Sequence, residues 1–307
     1  MIEARGLSKT YGEKKAVDDL SFTIKPGVVT GFLGPNGAGK STTMRLLLDL
    51  DEPTSGSATI NGKRYRDHKA PLQEVGALLE AKSIHSGRSA RNHLRALAAT
   101  NGISNKRVDE VIDIVGLHDV AGKRAGGFSL GMGQRLGIAT ALLGDPQTVL
   151  LDEPVNGLDP EGVLWIRNLL KALASEGRTV FVSSHLMSEM AVTAEHLIVV
   201  GKGRLIADTS VAELTKQAAH DLVTVSSVDN GRLRSLLAGD SVTVESTSEN
   251  MLEVSGLSAE QIGQIAAQAG LALTRLTPHE ATLEEAFMSI TRSSLDYVAT
   301  INGEAVA

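Results

Sequence analysis

The feature that most restricts the fold is the run Gly34-Pro35-Asn36-Gly37-Ala38-Gly39-Lys40-Ser41-Thr42, which satisfies G-x-x-x-x-G-K-[ST]. It follows the apolar stretch Val28 to Leu33 and precedes the helix-like segment TTMRLLLDL, so the order is strand, glycine-rich loop, helix. Glycines let backbone N–H groups curl around a phosphate, and the following helix turns its positive end toward the same anion. In this reading Lys40 neutralises the β- and γ-phosphates of a nucleotide, and the Ser41 hydroxyl ligates Mg2+.

A second apolar run, Thr148-Val149-Leu150-Leu151, ends in Asp152-Glu153-Pro154. Parallel strands deliver their carboxyl ends to a common ligand crevice, so Asp152 can reach the metal shell held by Ser41. Glu153 is then the expected base that polarises the attacking water. His185 follows the apolar run Thr179 to Val182 and is expected at the same crevice as a γ-phosphate contact. The helical pattern around Val163 to Leu173 separates these two runs, and such alternation argues for parallel strands joined by helical crossovers. Residues 1 to 30 read instead as antiparallel strands with turns at Tyr11-Gly12 and Lys25-Pro26-Gly27.

From about Val75 to Leu143 the character is helical. Val108, Val111, Ile112 and Val115 keep the helical period, with Ser104 as cap and Gly116 as stop, and another helix is predicted over Ala90 to Ala99. After Leu214 the pattern restarts as β-α-β-β-α-β, the ferredoxin-like order, closed by an amphipathic helix from Leu283 to Thr291. The expected division is an ATPase domain over 1–218, with a helical subdomain over about 81–145, and an accessory domain over 219–307.

Composition narrows the chemistry. The chain has no cysteine, which excludes disulfides, thiolate zinc sites and a cysteine nucleophile, and leaves oxygen ligands for any metal. Residues 216–307 carry 5 basic and 12 acidic residues, against 25 and 24 in residues 1–215, and aromatics are only 3% of the chain. That balance argues against a nucleic-acid partner. No apolar stretch reaches the roughly 20 residues of a membrane span, so another polypeptide is expected to make any path across a bilayer.

The segment Phe128-Ser129-Leu130-Gly131-Met132-Gly133-Gln134-Arg135 carries a family resemblance. With the phosphate loop and Asp152-Glu153, it makes residues from Met1 to about Leu214 resemble the nucleotide-binding subunits of ABC transporters. The usual signature is L-S-G-G-Q; Ser129 and Gly131 are kept, whereas Leu130 and Met132 replace the first glycine and the glutamine. Ser129 also stands where a helix should begin, offering free N–H groups to an anion. The resemblance implies a P-loop ATPase fold with an antiparallel β subdomain and a helical subdomain. It implies ATP and Mg2+ as cofactors, and two composite sites in a homodimer, or a heterodimer with a similar ATPase, in which Ser129 and Gly131 face the other subunit's γ-phosphate. It further assigns Tyr11 to adenine stacking, Asp159 to the subunit contact and His185 to the switch position. A separate transmembrane permease is the implied partner, with this chain peripheral on the cytoplasmic face of the cell membrane.

Where the family usually has glutamine, Val75-Gly76-Ala77-Leu78-Leu79 ends in Glu80, an expected metal-shell residue. Glutamate there, Gly131 to Ala139, and Leu283-Glu284-Glu285-Ala286-Phe287 resemble the branch that exports antibiotics and lipids. An ATPase remodelling DNA or ribosomes shares the same site. Chromosome-maintenance relatives, however, carry a long coiled coil before the signature, and ribosomal relatives usually carry two ATPase units. A small GTPase would need aspartate two residues after Lys106, where Val108 stands.

Overall fold

Alternation at the start of the first strand and the end of the second, and unbroken burial in the third, set the layers of the first unit. In β1 (Ile2–Tyr11) and β2 (Lys14–Ile24), inward residues such as Ile2, Ala4, Phe22 and Ile24 are buried while their neighbours face out. All of β3 (Val29–Leu33) is buried, as a central parallel strand requires. The computed structural model describes residues 1–79, 84–218, 222–239, 242–247, 251–279, 281–291, 299–301 and 304–306. They form two units: Met1–Val211 with Thr291–Ala307, and Ala212–Ile290.

After β3 the first unit continues through α1 (Lys40–Leu47), β4 (Ser55–Ile60), α2 (Pro71–Glu74) and β5 (Val75–Leu78). Next come α3 (Ala90–Thr100), α4 (Asn105–Ile114) and α5 (Leu130–Leu142). The chain then alternates through β6 (Thr148–Leu151), α6 (Pro160–Ser175), β7 (Thr179–Ser183), α7 (Met187–Thr193), β8 (His196–Gly201) and β9 (Arg204–Ser210). Strands β2-β1-β4 make an antiparallel sheet, and β5-β6-β7-β3-β8-β9 a second sheet, parallel except for β9 at one edge. Phe22 of the first sheet and Phe32 and Phe181 of the second stack with centroids 4.9 to 6.1 Å apart. Fully burying each such ring contributes about 1.5–3 kcal/mol.

The structure corrects the helical reading that began at Val75. Val75–Leu78 is a strand, paired in parallel with Thr148–Leu151. Four apolar residues are too short a window to separate a buried strand from a helix, and pairing with β6 decides the matter. Helix α5 lies directly on this strand: a Cβ at Gly76 would stand 1.9 Å from the Ala141 carbonyl oxygen. The other helical expectations are met. Ser104 caps α4 by accepting from the Arg107 N–H, and Gly116 ends that segment with φ +68°.

Past α8 (Val211–Ala218), β10 (Leu222–Ser227), α9 (Asn230–Leu237), β11 (Thr243–Ser246), β12 (Leu252–Ser255), α10 (Ala259–Gln268) and β13 (Leu273–Pro278) of the second unit alternate as the ferredoxin-like order requires. The sheet order is β11-β12-β10-β13, antiparallel throughout. Val223, Val225, Leu233, Val254 and Ile262 form its core. In the final helix, Leu283–Thr291, the expected apolar stripe is buried at Leu283 and Phe287 and half-buried at Ile290.

Candidate nucleotide site

Three parallel strands, β3, β6 and β7, bring their carboxyl ends together, and Lys40, Ser41, Asp152, Glu153 and His185 each follow one of them. After β3 the loop turns through Gly37 and Gly39, at φ +81° and +101°, values that L side chains rarely adopt. A Cβ on Gly39 would also lie 2.5 Å from the Ala16 carbonyl oxygen, so glycine is needed there twice over. Lys40 opens α1, and its Nζ donates to the Gly34 carbonyl at 2.6 Å. Only 8% of Lys40 is exposed; burial pulls its pKa below the ordinary lysine range, while Glu153 and Asp152 push it back up. A cation stripped of water and held by carbonyls is well prepared to meet a phosphate.

The Ser41 Oγ donates to Asp152 Oδ2 at 2.7 Å. Two hard oxygen donors from distant parts of the chain thus stand side by side, which suits Mg2+, a cation that takes few protein ligands and completes its shell with water and phosphate. Glu153 accepts from His185 Nδ1 at 2.7 Å, which fixes the imidazole proton on that nitrogen. A cleft of about 400 Å3 is lined by Tyr11, Lys14 and Ala16, by Pro35 through Thr42, and by Asp152 and Glu153. Tyr11 sits on its rim with its hydroxyl donating to Asp51 at 2.8 Å and the Lys9 ammonium 5.0 Å from the ring centre.

Ser129, Gly131 and Asp159 lie away from the lining of this cleft. Ser129 caps α5 by accepting from the Met132 N–H at 3.2 Å and is exposed. Gly131 packs against the loop after β6, where its Cβ would meet the Gly157 carbonyl oxygen at 2.8 Å. Asp159 caps α6 by accepting from the Gly162 N–H at 3.0 Å. Glu80 lies outside the described residues.

Sequence reasoning missed two residues of this site. Ser183, fully buried at the end of β7, donates to Asp152 Oδ1 and accepts from the Glu153 N–H at 3.0 Å. Gln134, 3% exposed within α5, donates to the Glu153 carbonyl at 3.2 Å. A hydroxyl ending an otherwise apolar strand, and an amide inside a helix, were the available signals.

Residues 17–156 match the ABC transporter family model, and residues 221–284 match a domain of unknown function. The bacitracin transport ATP-binding protein BcrA of Bacillus licheniformis is 43% identical over 71% of this chain and 72% of its own. BcrA of Enterococcus faecalis is 34% identical over 94% of this chain and 96% of its own. A dimeric post-hydrolysis state of an ATP-binding cassette, bound to ADP and Pi, superposes with a TM-score of 0.63 at 26% identity. That match covers 69% of this chain and 99% of the other. Similarity over almost the whole length of a transport ATP-binding protein, on a fold shared with a product-bound cassette, shows that this ATP-hydrolysing chain belongs to the ATP-binding subunits of ABC transporters.

Proposed function

We propose that the chain works as a dimer on the cytoplasmic face of a separate membrane-spanning subunit, and that its ATP hydrolysis drives export of an antibiotic-like or lipid-like compound. The observation that carries this reading is the near full-length similarity to a bacitracin transport ATP-binding protein, which extends through the second unit as well as the ATPase. Among the described residues no helix is long and apolar enough to cross a membrane, so the path for cargo belongs to the partner.

In the proposed site, Lys40 and the loop N–H groups hold the β- and γ-phosphates, Tyr11 stacks on adenine, and Ser41 and Asp152 hold Mg2+. That ion, when bound, neutralises charge on the phosphate oxygens. Glu153 takes the proton of the attacking water, and His185 fixes the orientation of its carboxylate. Ser129 and Gly131 serve the nucleotide of the other protomer, in line with their place outside this chain's own cleft. Asp159, at the start of α6, belongs to the contact between protomers.

Tagged full-length chain carrying Glu153→Gln, isolated from detergent-solubilised membranes with ATP and Mg2+, is expected to bring down a membrane-spanning protein in an ATP-loaded complex. Recovery of an active ATPase with no membrane-spanning companion, from membranes of the native host, would remove the transport reading while leaving the ATPase intact.

A further inference from the structure

Among the non-glycine residues lining the phosphate cleft, Glu153 has its backbone in the left-handed region, at φ +50°. Asparagine and aspartate tolerate that region through local hydrogen bonds, but glutamate has no such habit. The strain is therefore held by the surroundings, and the contacts that hold it can be named. The Glu153 N–H donates to Ser183 Oγ at 3.0 Å. Its carbonyl accepts from Gln134 Nε2 at 3.2 Å and from the Asn156 N–H at 3.2 Å. Its carboxylate accepts from His185. Each polar group of the residue is thus tied down, two of them by side chains that are themselves nine-tenths or more buried.

Ser183 has a single hydroxyl and uses it in both directions, giving its proton to Asp152 and accepting from Glu153. The carboxylate of Asp152 and the backbone of Glu153 are therefore both anchored to one atom of β7. Gln134 comes from a helix instead of a strand. It lies on α5, the helix that Ser129 caps and whose first turn packs against Gly157.

We propose that Gln134 and Ser183 are positioning residues that clamp Glu153 in its left-handed conformation, and that Gln134 ties the placement of this base to the helix bearing Ser129. The proposal rests on Glu153 acting as the base. Its consequence is mechanical: a displacement of α5 at its Ser129 end shifts the anchor of a carboxylate that serves the cleft of its own chain.

The test uses full-length protein carrying Gln134→Met, which keeps length and removes the N–H donor, and separately Ser183→Ala and Ser183→Thr. Circular dichroism melts establish folding, and Ser183→Ala carries the test where Gln134→Met does not fold. Binding of ATP, titrated without Mg2+, is expected to stay within about threefold of the parent, because neither residue faces the phosphates. The kcat for ATP is expected to fall by about 10- to 100-fold, the scale of a misplacement near 1 Å. Ser183→Thr, which keeps the hydroxyl, recovers most of it. Gln134→Met added to Glu153→Gln is expected to slow hydrolysis no further, since both act through one carboxylate. Parental kcat in folded Gln134→Met and Ser183→Ala overturns the proposal, as does a full additional loss in the double variant. Parental turnover in Glu153→Gln alone instead removes the base assignment on which the clamp depends.

Discussion

At the residue scale, two changes in one cleft should fail in different ways. Lys40 is a buried cation whose partners are carbonyl oxygens, so its value lies in meeting anionic phosphate. Lys40→Ala is expected to weaken ATP binding by about 10- to 100-fold, the range of a lost hydrogen bond to a charged group, and to lower hydrolysis with it. Glu153→Gln keeps the shape of the cleft and removes the proton acceptor. It is expected to bind ATP like the parent and to lower kcat by about 10²-fold or more. Equilibrium titration with a fluorescent nucleotide, read beside phosphate release, separates the two; parallel losses of binding in both variants would contradict the assignment.

At the element scale, α3 carries a titratable group that works against acid stability. His93 is 8% exposed, and its Nδ1 has no hydrogen-bond partner among the described residues. Burial lowers its pKa, and the charges of Arg88 and His85 lower it further. A base whose folded pKa is depressed stabilises the fold fully above its unfolded pKa, about 6.5, and the stabilisation is lost as pH falls from there toward the folded value. His93→Leu removes both the proton site and the unpaired nitrogen. The drop in melting temperature between pH 7.5 and pH 5.5 is therefore expected to be smaller in His93→Leu than in the parent. An unchanged acid slope would show that other groups set it. Ser104 and Ser129, the helix starts read from the sequence, each accept from the N–H three residues on, a local interaction that sequence spacing encodes, and in the structure Ser89 caps α3 in the same way.

At the scale of the whole molecule, the second unit asks what it contributes, since the product-bound cassette matches only 69% of this chain and is almost wholly covered by it. The concentrated negative charge of residues 216–307 and the four-stranded antiparallel sheet describe a folded module with no phosphate loop. Our reading is that it regulates or steadies the dimer. Truncation after Ala218 is expected to leave ATP binding intact while changing the lifetime of the ATP-bound dimer or the transport-coupled rate. Truncation after Thr291 tests separately the Thr291–Ala307 segment, which clusters with the first unit. Size-exclusion chromatography of Glu153→Gln protein with ATP reads the dimer directly; identical dimer lifetimes and coupled rates in both truncations would leave the module a structural appendage.

The phosphate loop, the carboxylates after β6, the crossovers and the strand-helix order of the second unit were legible in the sequence by itself, because each depends on neighbours in the chain: a turn chemistry, a cap, a period. Tertiary structure decided the rest. Val75–Leu78 became a strand through pairing with residues some seventy positions away, and β8 with β9 closed the sheet edge beyond any motif. Ser41 reached Asp152 across 111 residues, as the motifs implied, but the clamp on Glu153 joins β6, β7 and α5 through buried hydrogen bonds whose partners share no local pattern. Spacing along the chain carries what one turn or one strand end can do. Which buried polar groups satisfy one another depends on distances that exist only once the sheet and its helices have packed.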